Sequence, residues 1–105
     1  MTSTDTVLAA VAEPNRRRIL DLLVLRPQPV GELVRSLGLS QPSTSKHLRV
    51  LRDSGLVAAS TRGKQRVYAL RAEPFQELDG WLQGYRRLWS SSLDRLEAAL
   101  NEEQR

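Results

Sequence analysis

Apolar residues recur at helical spacing through the first half of the chain, and this pattern predicts four short helices. Pro14 and Pro42 stand where the second and fourth helices begin, and proline is favoured in the first turn of a helix. Gly38 permits the left-handed backbone that ends the third helix, and Ser40 is placed to cap the fourth. The predicted helices cover residues 5–12, 14–25, 30–37 and 41–54.

Two short runs with β-branched and aromatic members follow these helices, at residues 56–62 and 65–70. Gly63 and Lys64 lie between the runs, which predicts a β-hairpin with a basic tip. A long final helix, opened by a proline, is then expected over residues 74–100.

The order of these elements predicts a known supersecondary unit. Two helices joined by a tight, glycine-containing turn form a helix-turn-helix, here over residues 30–54, and the hairpin at residues 56–70 makes it a winged one. The length of 105 residues fits one domain. The chain is therefore predicted to be mainly α-helical with a small β-hairpin, in the order α-α-α-α-β-β-α, as a single winged helix-turn-helix domain over residues 1–105.

The final helix carries an apolar stripe that is too long for the core of a domain of this size. At 1.5 Å per residue the stripe is roughly 39 Å long. An amphipathic face that the domain cannot cover needs an outside partner, and a second copy related by a two-fold axis is the simplest one. Residues 74–100 are therefore predicted to be a dimerisation helix. The stripe consists of Phe75, Leu78, Leu82, Tyr85, Trp89, Leu93, Leu96 and Leu100.

Composition and charge narrow the classes of function. There is no cysteine, which excludes disulfide frameworks, thiolate metal sites and cysteine nucleophiles, and suits a reducing cytoplasm. No stretch approaches the ~18–20 apolar residues of a membrane span, so no membrane association is expected. Residues 1–72 hold 12 basic and 5 acidic side chains, whereas residues 73–105 hold 4 and 7. A basic front and an acidic tail indicate a polyanion-binding module joined to a part with another task.

The fourth helix has the surface chemistry of a helix that reads DNA. Thr44, Leu48 and Leu51 recur at spacings of four and three and are predicted to be buried, with the Thr44 hydroxyl bonded back to the helix. The opposite side presents polar and cationic side chains, which suit base edges in the major groove and phosphates at the helix start. These side chains are Gln41, Ser43, Lys46 and Arg49, with Ser45 and His47 on the flanks.

Residues 31–57 strongly resemble the ArsR-type repressor family of bacterial winged-helix regulators. The Ser-Gln-Pro start at residues 40–42 and the Lys-His-Leu turn at residues 46–48 are specific together, and residues 13–20 resemble the opening of that family's second helix. The resemblance covers roughly residues 7–100. It implies a repressor that dimerises through its first and last helices.

Pattern and resemblance together give two sets of candidate residues. The candidate DNA contacts are Ser40, Gln41, Ser43, Ser45, Lys46, His47 and Arg49 on the helix, Arg62, Lys64 and Arg66 on the hairpin, and more weakly Arg16 and Arg17. The candidate dimer contacts are Val7, Leu8, Val11, Leu78, Leu82, Tyr85, Trp89, Leu93 and Leu96. A dimer places two recognition helices about one DNA turn apart, ~34 Å, which predicts a pseudo-palindromic operator on double-stranded DNA.

The metal sites that the resemblance implies have no counterpart in the chain. Thiolate ligands are implied around Val34 and Ser36, and neither residue is such a ligand. Other relatives bind zinc through histidine and carboxylates of the last helix, which here contains no histidine, and carboxylates alone are a poor transition-metal site. No metal and no cofactor are therefore expected. With His47 as the one histidine and no glycine-rich phosphate loop, no catalytic constellation remains, so the chain is expected not to be an enzyme.

Two alternatives to a DNA-binding repressor stay open at this point, namely an RNA-binding domain and a winged helix used only for protein contact. Proteins that read single strands stack bases on aromatic side chains, and the basic region holds only Tyr68, which disfavours RNA. A low salt slope and no DNA binding would favour a winged helix used only for protein contact. The sequence identifies no inducer, and a cytoplasmic location is expected.

Overall fold

The computed structural model describes residues 4–103. Its elements confirm the predicted fold class, a mainly α-helical chain with a small antiparallel hairpin after the fourth helix. Most of the boundaries lie within two residues of the predicted ones, and the last helix extends three residues beyond its predicted end. The elements are α1 (Thr4–Val11), α2 (Pro14–Leu25), β1 (Gln28–Pro29), α3 (Val30–Leu37), α4 (Gln41–Asp53), β2 (Val57–Arg62), β3 (Gln65–Leu70) and α5 (Ala72–Glu103).

Local capping explains where the helices of the helix-turn-helix begin and end. The Ser40 hydroxyl oxygen accepts a hydrogen bond from the backbone N–H of Ser43 at 3.2 Å, which caps α4 as the sequence predicted. Gly38 has a φ of 68° and its N–H donates to the Val34 carbonyl, which ends α3. The turn between the two helices therefore depends on a residue without a side chain.

The sheet has a third strand that the sequence did not predict. The strand order is β1-β3-β2, and β1 pairs antiparallel with β3, with Gln28 opposite Tyr68 and Pro29 opposite Val67. The Gln28 side chain is buried and its Nε2 donates to the Leu22 carbonyl oxygen at 2.6 Å. This pairing fixes the start of α3 against the hairpin of β2 and β3 and so sets the position of α4, which follows.

A cluster of buried apolar residues lies between the helices and the sheet. Val7 from α1 is part of this cluster and has no exposed surface. Its prediction as a dimer contact is therefore corrected, because α1 packs its Val7 and Ala10 side onto the protomer's own core. Leu8 and Val11, the other two predicted contacts on α1, are half-buried and retain surface for a partner.

The last helix, α5, projects beyond the rest of the molecule. Only its first three turns touch the core, through Pro74, Phe75 and Leu78. The molecule measures 66 × 30 × 22 Å and its radius of gyration is 18.7 Å, whereas a compact chain of this length has a radius of gyration of about 13 Å. Most of α5 therefore has no packing partner within residues 4–103.

Candidate nucleic-acid interface

Helix α4 is anchored by the apolar side that the sequence predicted. Thr44, Leu48 and Leu51 are fully buried. The Thr44 hydroxyl donates to the Ser40 carbonyl oxygen at 2.9 Å, which confirms the predicted bond back to the helix. With this side buried, the opposite side of α4 faces solvent.

The outer side of α4 carries side chains that are free to bind a ligand. Gln41, Ser45, Lys46 and Arg49 are exposed, and Ser43 is half-buried. In the part of the chain that the structure describes, neither the Lys46 nor the Arg49 side chain has an acidic partner within 4.0 Å. Unpaired cations beside amide and hydroxyl groups can bind base edges and phosphates without first breaking an internal ion pair.

His47 lies on the inner flank of α4. Its side chain is only 17% exposed, and its Nδ1 lies 3.7 Å from Oε2 of Glu13, the residue that caps α2. The ring is thus turned towards α2, whereas Lys46 points to solvent. His47 therefore contacts α2, and its predicted contact with DNA stays a prediction.

The Glu13 carboxylate is held in its charged form. Desolvation raises the pKa of this half-buried group, but hydrogen bonds from the backbone N–H groups of Arg16 and Asn15 and the charges of His47 and Arg16 outweigh it. The pKa of Glu13 therefore lies below its ordinary value. The negative charge sits at the N-terminus of α2, where the helix dipole also favours it.

Three arginines at the start of α2 cap the ends of other helices. Arg16 donates through Nε to the Ala10 carbonyl oxygen at 2.6 Å, and Arg17 donates through Nη1 to the carbonyl oxygens that end α1. Arg18 donates to the Leu37 carbonyl oxygen at the end of α3. Cations at helix C-termini satisfy carbonyl groups that lack partners, which gives Arg16 and Arg17 a structural use, and their contact with DNA stays a prediction.

The wing is the hairpin of β2 and β3, with Gly63 at its tip at a φ of 61°. Arg62, Lys64 and Arg66 are all exposed, as predicted for a basic tip. The Arg66 guanidinium lies 5.7 Å from the centre of the Tyr68 ring, a cation–π contact that orients it.

A groove of about 470 Å³ lies between α4 and the wing. Arg49 and Arg66 both line it, so the structure brings together predicted residues from two different elements. Arg52 also lines this groove and was missed, although its spacing of three residues from Arg49 places it on the same side of α4.

Lys64 lines a second groove beside α3, and Arg62 lines neither. The α4 side of the first groove is completed by Gln41 and Ser45.

Two expectations from the sequence can be compared with the described residues. Among residues 4–103, no group of three histidine, aspartate or glutamate side chains could hold a metal ion. No helix within the same range is long and apolar enough to cross a membrane.

The apolar stripe of α5 is largely uncovered. Leu78 and Leu82 are half-buried, whereas Tyr85, Trp89, Leu93 and Leu96 have exposed fractions of 57%, 68%, 47% and 57%. The exposed surface of the molecule is 7480 Å². A monomer of its mass, 11.8 kDa, is expected to expose roughly 5,900 Å².

Known proteins are similar to this chain in sequence and in fold. The sequence model described as "Bacterial regulatory protein, arsR family" matches residues 13–59. The transcriptional regulator Rv2034 of Mycobacterium tuberculosis is 43% identical over 68 residues, which are 65% of this chain. The match spans 64% of the length of Rv2034.

Two further relatives match over most of their own length. The transcriptional repressor SdpR of Bacillus subtilis is 28% identical over 81 residues, 77% of this chain and 90% of SdpR. The crystal structure of an ArsR family transcriptional regulator is 34% identical with a TM-score of 0.73, covering 82% of this chain and 94% of that one. These relatives are regulators, which confirms the prediction that the chain is not an enzyme. The chain belongs to the ArsR family of bacterial transcriptional regulators.

Proposed function

We propose that this chain, as a single winged helix-turn-helix domain over residues 1–105, forms a homodimer that binds double-stranded DNA sequence-specifically and represses transcription. The observation that carries the proposal is the groove in which Arg49 of α4 and Arg66 of the wing come together. The major groove is wide enough for one α-helix, so α4 can enter it with its free cationic side. The basic hairpin then lies beside the adjoining DNA backbone.

The side chains of α4 suit two different parts of the DNA, the base edges and the phosphates. Gln41 can pair with adenine, and Lys46 and Arg49 can pair with guanine, through the donor and acceptor pattern of the major groove. Ser40, Ser43 and Ser45 lie at or near the first turn, where hydroxyl groups and the helix dipole favour a phosphate. His47 supports the helix from the α2 side, at 3.7 Å from Glu13.

The wing and Arg52 add affinity. Arg62, Lys64 and Arg66 project from the hairpin beside α4, and Arg52 extends the basic side of the helix. Contacts of this kind go to the DNA backbone or the minor groove and carry little base information. Each phosphate neutralised contributes about −0.9 to the slope of log K against log salt.

The uncovered stripe of α5 supports the homodimer. A surface that exceeds the value for a monomer of this mass by roughly 1,600 Å² is enough for a standard interface, which buries about 800 Å² on each partner. Leu8 and Val11 of α1 and the α5 stripe are the proposed contacts. The two-fold axis presents both α4 helices to one side of a duplex and implies a pseudo-palindromic operator.

Repression by promoter occupancy is supported by SdpR, which is named a transcriptional repressor. We place this action in the cytoplasm, where bacterial DNA is found, and assign no direct metal response to it. The chain has no cysteine, and its single histidine is engaged with Glu13.

The test is selection of binding sites from a random duplex library, followed by fluorescence anisotropy with the selected duplex, its single strands and the corresponding RNA. We expect a preference for the duplex, two inverted half-sites about one turn apart and a steep salt dependence. No preference for the duplex at moderate salt refutes the proposal. A preference for RNA, or no nucleic-acid binding at all, favours the two alternatives raised by the sequence.

A further inference from the structure

An apolar groove of about 360 Å³ lies between α1, α2 and α5, away from the basic side of α4. Val11, Leu20 and Phe75 contribute to its walls, and Arg17 and Asp21 stand at its rim. The wall on the α2 side includes Val24, which is 70% exposed although it is apolar. Nothing within residues 4–103 covers this wall.

The groove is continuous with the stripe of α5. Phe75 and Leu78 line the groove and are also the first two members of the stripe, so one apolar surface runs from α2 out along the projecting helix. A partner that covers the stripe therefore also extends over the groove.

We propose that the groove receives the distal segment of α5, residues 93–100, from a second copy of this chain, so that α2 becomes part of the interface. The inference rests on the proposed homodimer and adds its register and the occupant of the groove. Leu93, Leu96 and Leu100 of the inserted segment provide the apolar contacts, with exposed fractions of 47%, 57% and 51% in the protomer.

The register follows from the extent of the stripe. The stripe runs from Phe75 to Leu100, and a two-fold pair of antiparallel helices covers all of it only when the midpoints of the two stripes coincide. The axis then passes between Tyr85 and Trp89, and Leu96 of one subunit lies opposite Leu78 of the other, at the groove. A parallel pair leaves both grooves and both Val24 side chains in water.

Charge and area agree with this occupant. Arg95 and Glu97 flank Leu96, and the rim of the groove carries Arg17 and Asp21, so each charge has an opposite one available. The extra surface of roughly 1,600 Å² per protomer exceeds what one face of a standard interface buries, which leaves room for α2 as well as the stripe.

The chain has no cysteine, so single cysteine substitutions give unambiguous crosslinks. Protein carrying Val24→Cys is mixed with protein carrying Leu96→Cys, allowed to exchange subunits and treated with a short bis-maleimide, after sedimentation has established the oligomeric state of the wild type. We expect a Val24–Leu96 crosslink. The control is Leu25→Cys, which is 76% exposed but lines a different pocket, and should give none.

Leu96→Cys alone provides a second check. In the antiparallel register the two Leu96 positions lie roughly 27 Å apart along the helices and should not crosslink to each other. A Leu96–Leu96 crosslink, or a dimer without the Val24–Leu96 crosslink, overturns this inference and leaves the homodimer standing. A wild type that stays monomeric at high concentration overturns both.

A charge at the groove gives a readout independent of crosslinking. Val24→Glu should weaken the dimer at least about tenfold by sedimentation, because an unpaired carboxylate is buried against apolar side chains, whereas Leu25→Glu should change it little. Both positions are exposed in the protomer, so neither change should affect folding. Equal effects of the two substitutions contradict the placement of the groove in the interface.

Discussion

The Nδ1 atom of His47 lies 3.7 Å from Oε2 of Glu13, and this contact connects the recognition helix to the cap of α2. The same carboxylate oxygen accepts the backbone N–H of Arg16 at 2.8 Å, and the Arg16 side chain donates to the Ala10 carbonyl oxygen at the end of α1. A chain of polar contacts therefore runs from the helix beside the proposed dimer interface to the helix proposed to read DNA.

The charge of Glu13 should make stability depend on pH in the acidic range. Its pKa is lowered in the folded state, so its contribution is fully present above the ordinary value of 4.5 and is lost as the pH falls through the lower, folded-state pKa. Urea unfolding of the wild type and Glu13→Gln should show a more stable wild type near neutral pH. The difference should shrink below pH 4.5. A difference that is constant through this range argues against a charged Glu13 as the cause.

His47 and Gln41 should respond differently to truncation, since one positions α4 and the other faces the duplex. His47→Ala should lower affinity for all duplexes by a similar factor. Gln41→Ala should relax the preference at one base pair, at ~1–3 kcal/mol for a bidentate contact. Competition anisotropy with a panel of single-base operator variants distinguishes the two patterns. Loss of base preference in His47→Ala would show that His47 contacts a base directly.

The periodic parts of the sequence were sufficient to predict most of the fold. The buried side of α4, through Thr44 and Leu48, followed from spacing alone, because burial repeats with the helix. The strand at Gln28–Pro29 was missed, because two residues have no period and their partners in β3 lie about forty positions later. The same limit applies to Arg16, whose partners are backbone carbonyl groups, which no side-chain pattern reveals.

The sequence supplied candidate residues for the site from separate elements, but it did not show how these residues contact one another. Arg49 and Arg66 were identified from separate elements, and only the fold shows that they line one groove. His47 was placed on the flank of α4 by helical geometry, but which neighbour it faces depends on where α2 packs. Val7 was assigned to the dimer from the resemblance, which does not resolve which side of α1 faces inward.

Lys64 should contribute affinity without base preference. It is exposed at the tip of the wing and has no acidic partner within the described residues. Lys64→Ala should weaken binding of all duplexes alike and make the salt slope shallower by about 0.9, the value for one phosphate contact. Arg87→Ala is the matched control, because Arg87 is exposed on α5 and lies opposite the apolar stripe. An equal change of slope in both variants indicates a general effect of net charge.

The buried hydroxyl of Thr44 should be dispensable for stability although its shape is not. Its acceptor, the Ser40 carbonyl oxygen, also receives the backbone N–H of Thr44 at 3.0 Å, so Thr44→Val leaves no buried polar group without a partner. We expect the free energy of unfolding to change by less than about 1 kcal/mol in Thr44→Val, with DNA affinity retained. Thr44→Ala removes the methyl group as well as the hydroxyl from a fully buried position and should cost more. Urea unfolding of both variants measures this order. A Thr44→Val protein that loses as much stability as Thr44→Ala shows that the hydroxyl bond, and not packing, holds α4 in place.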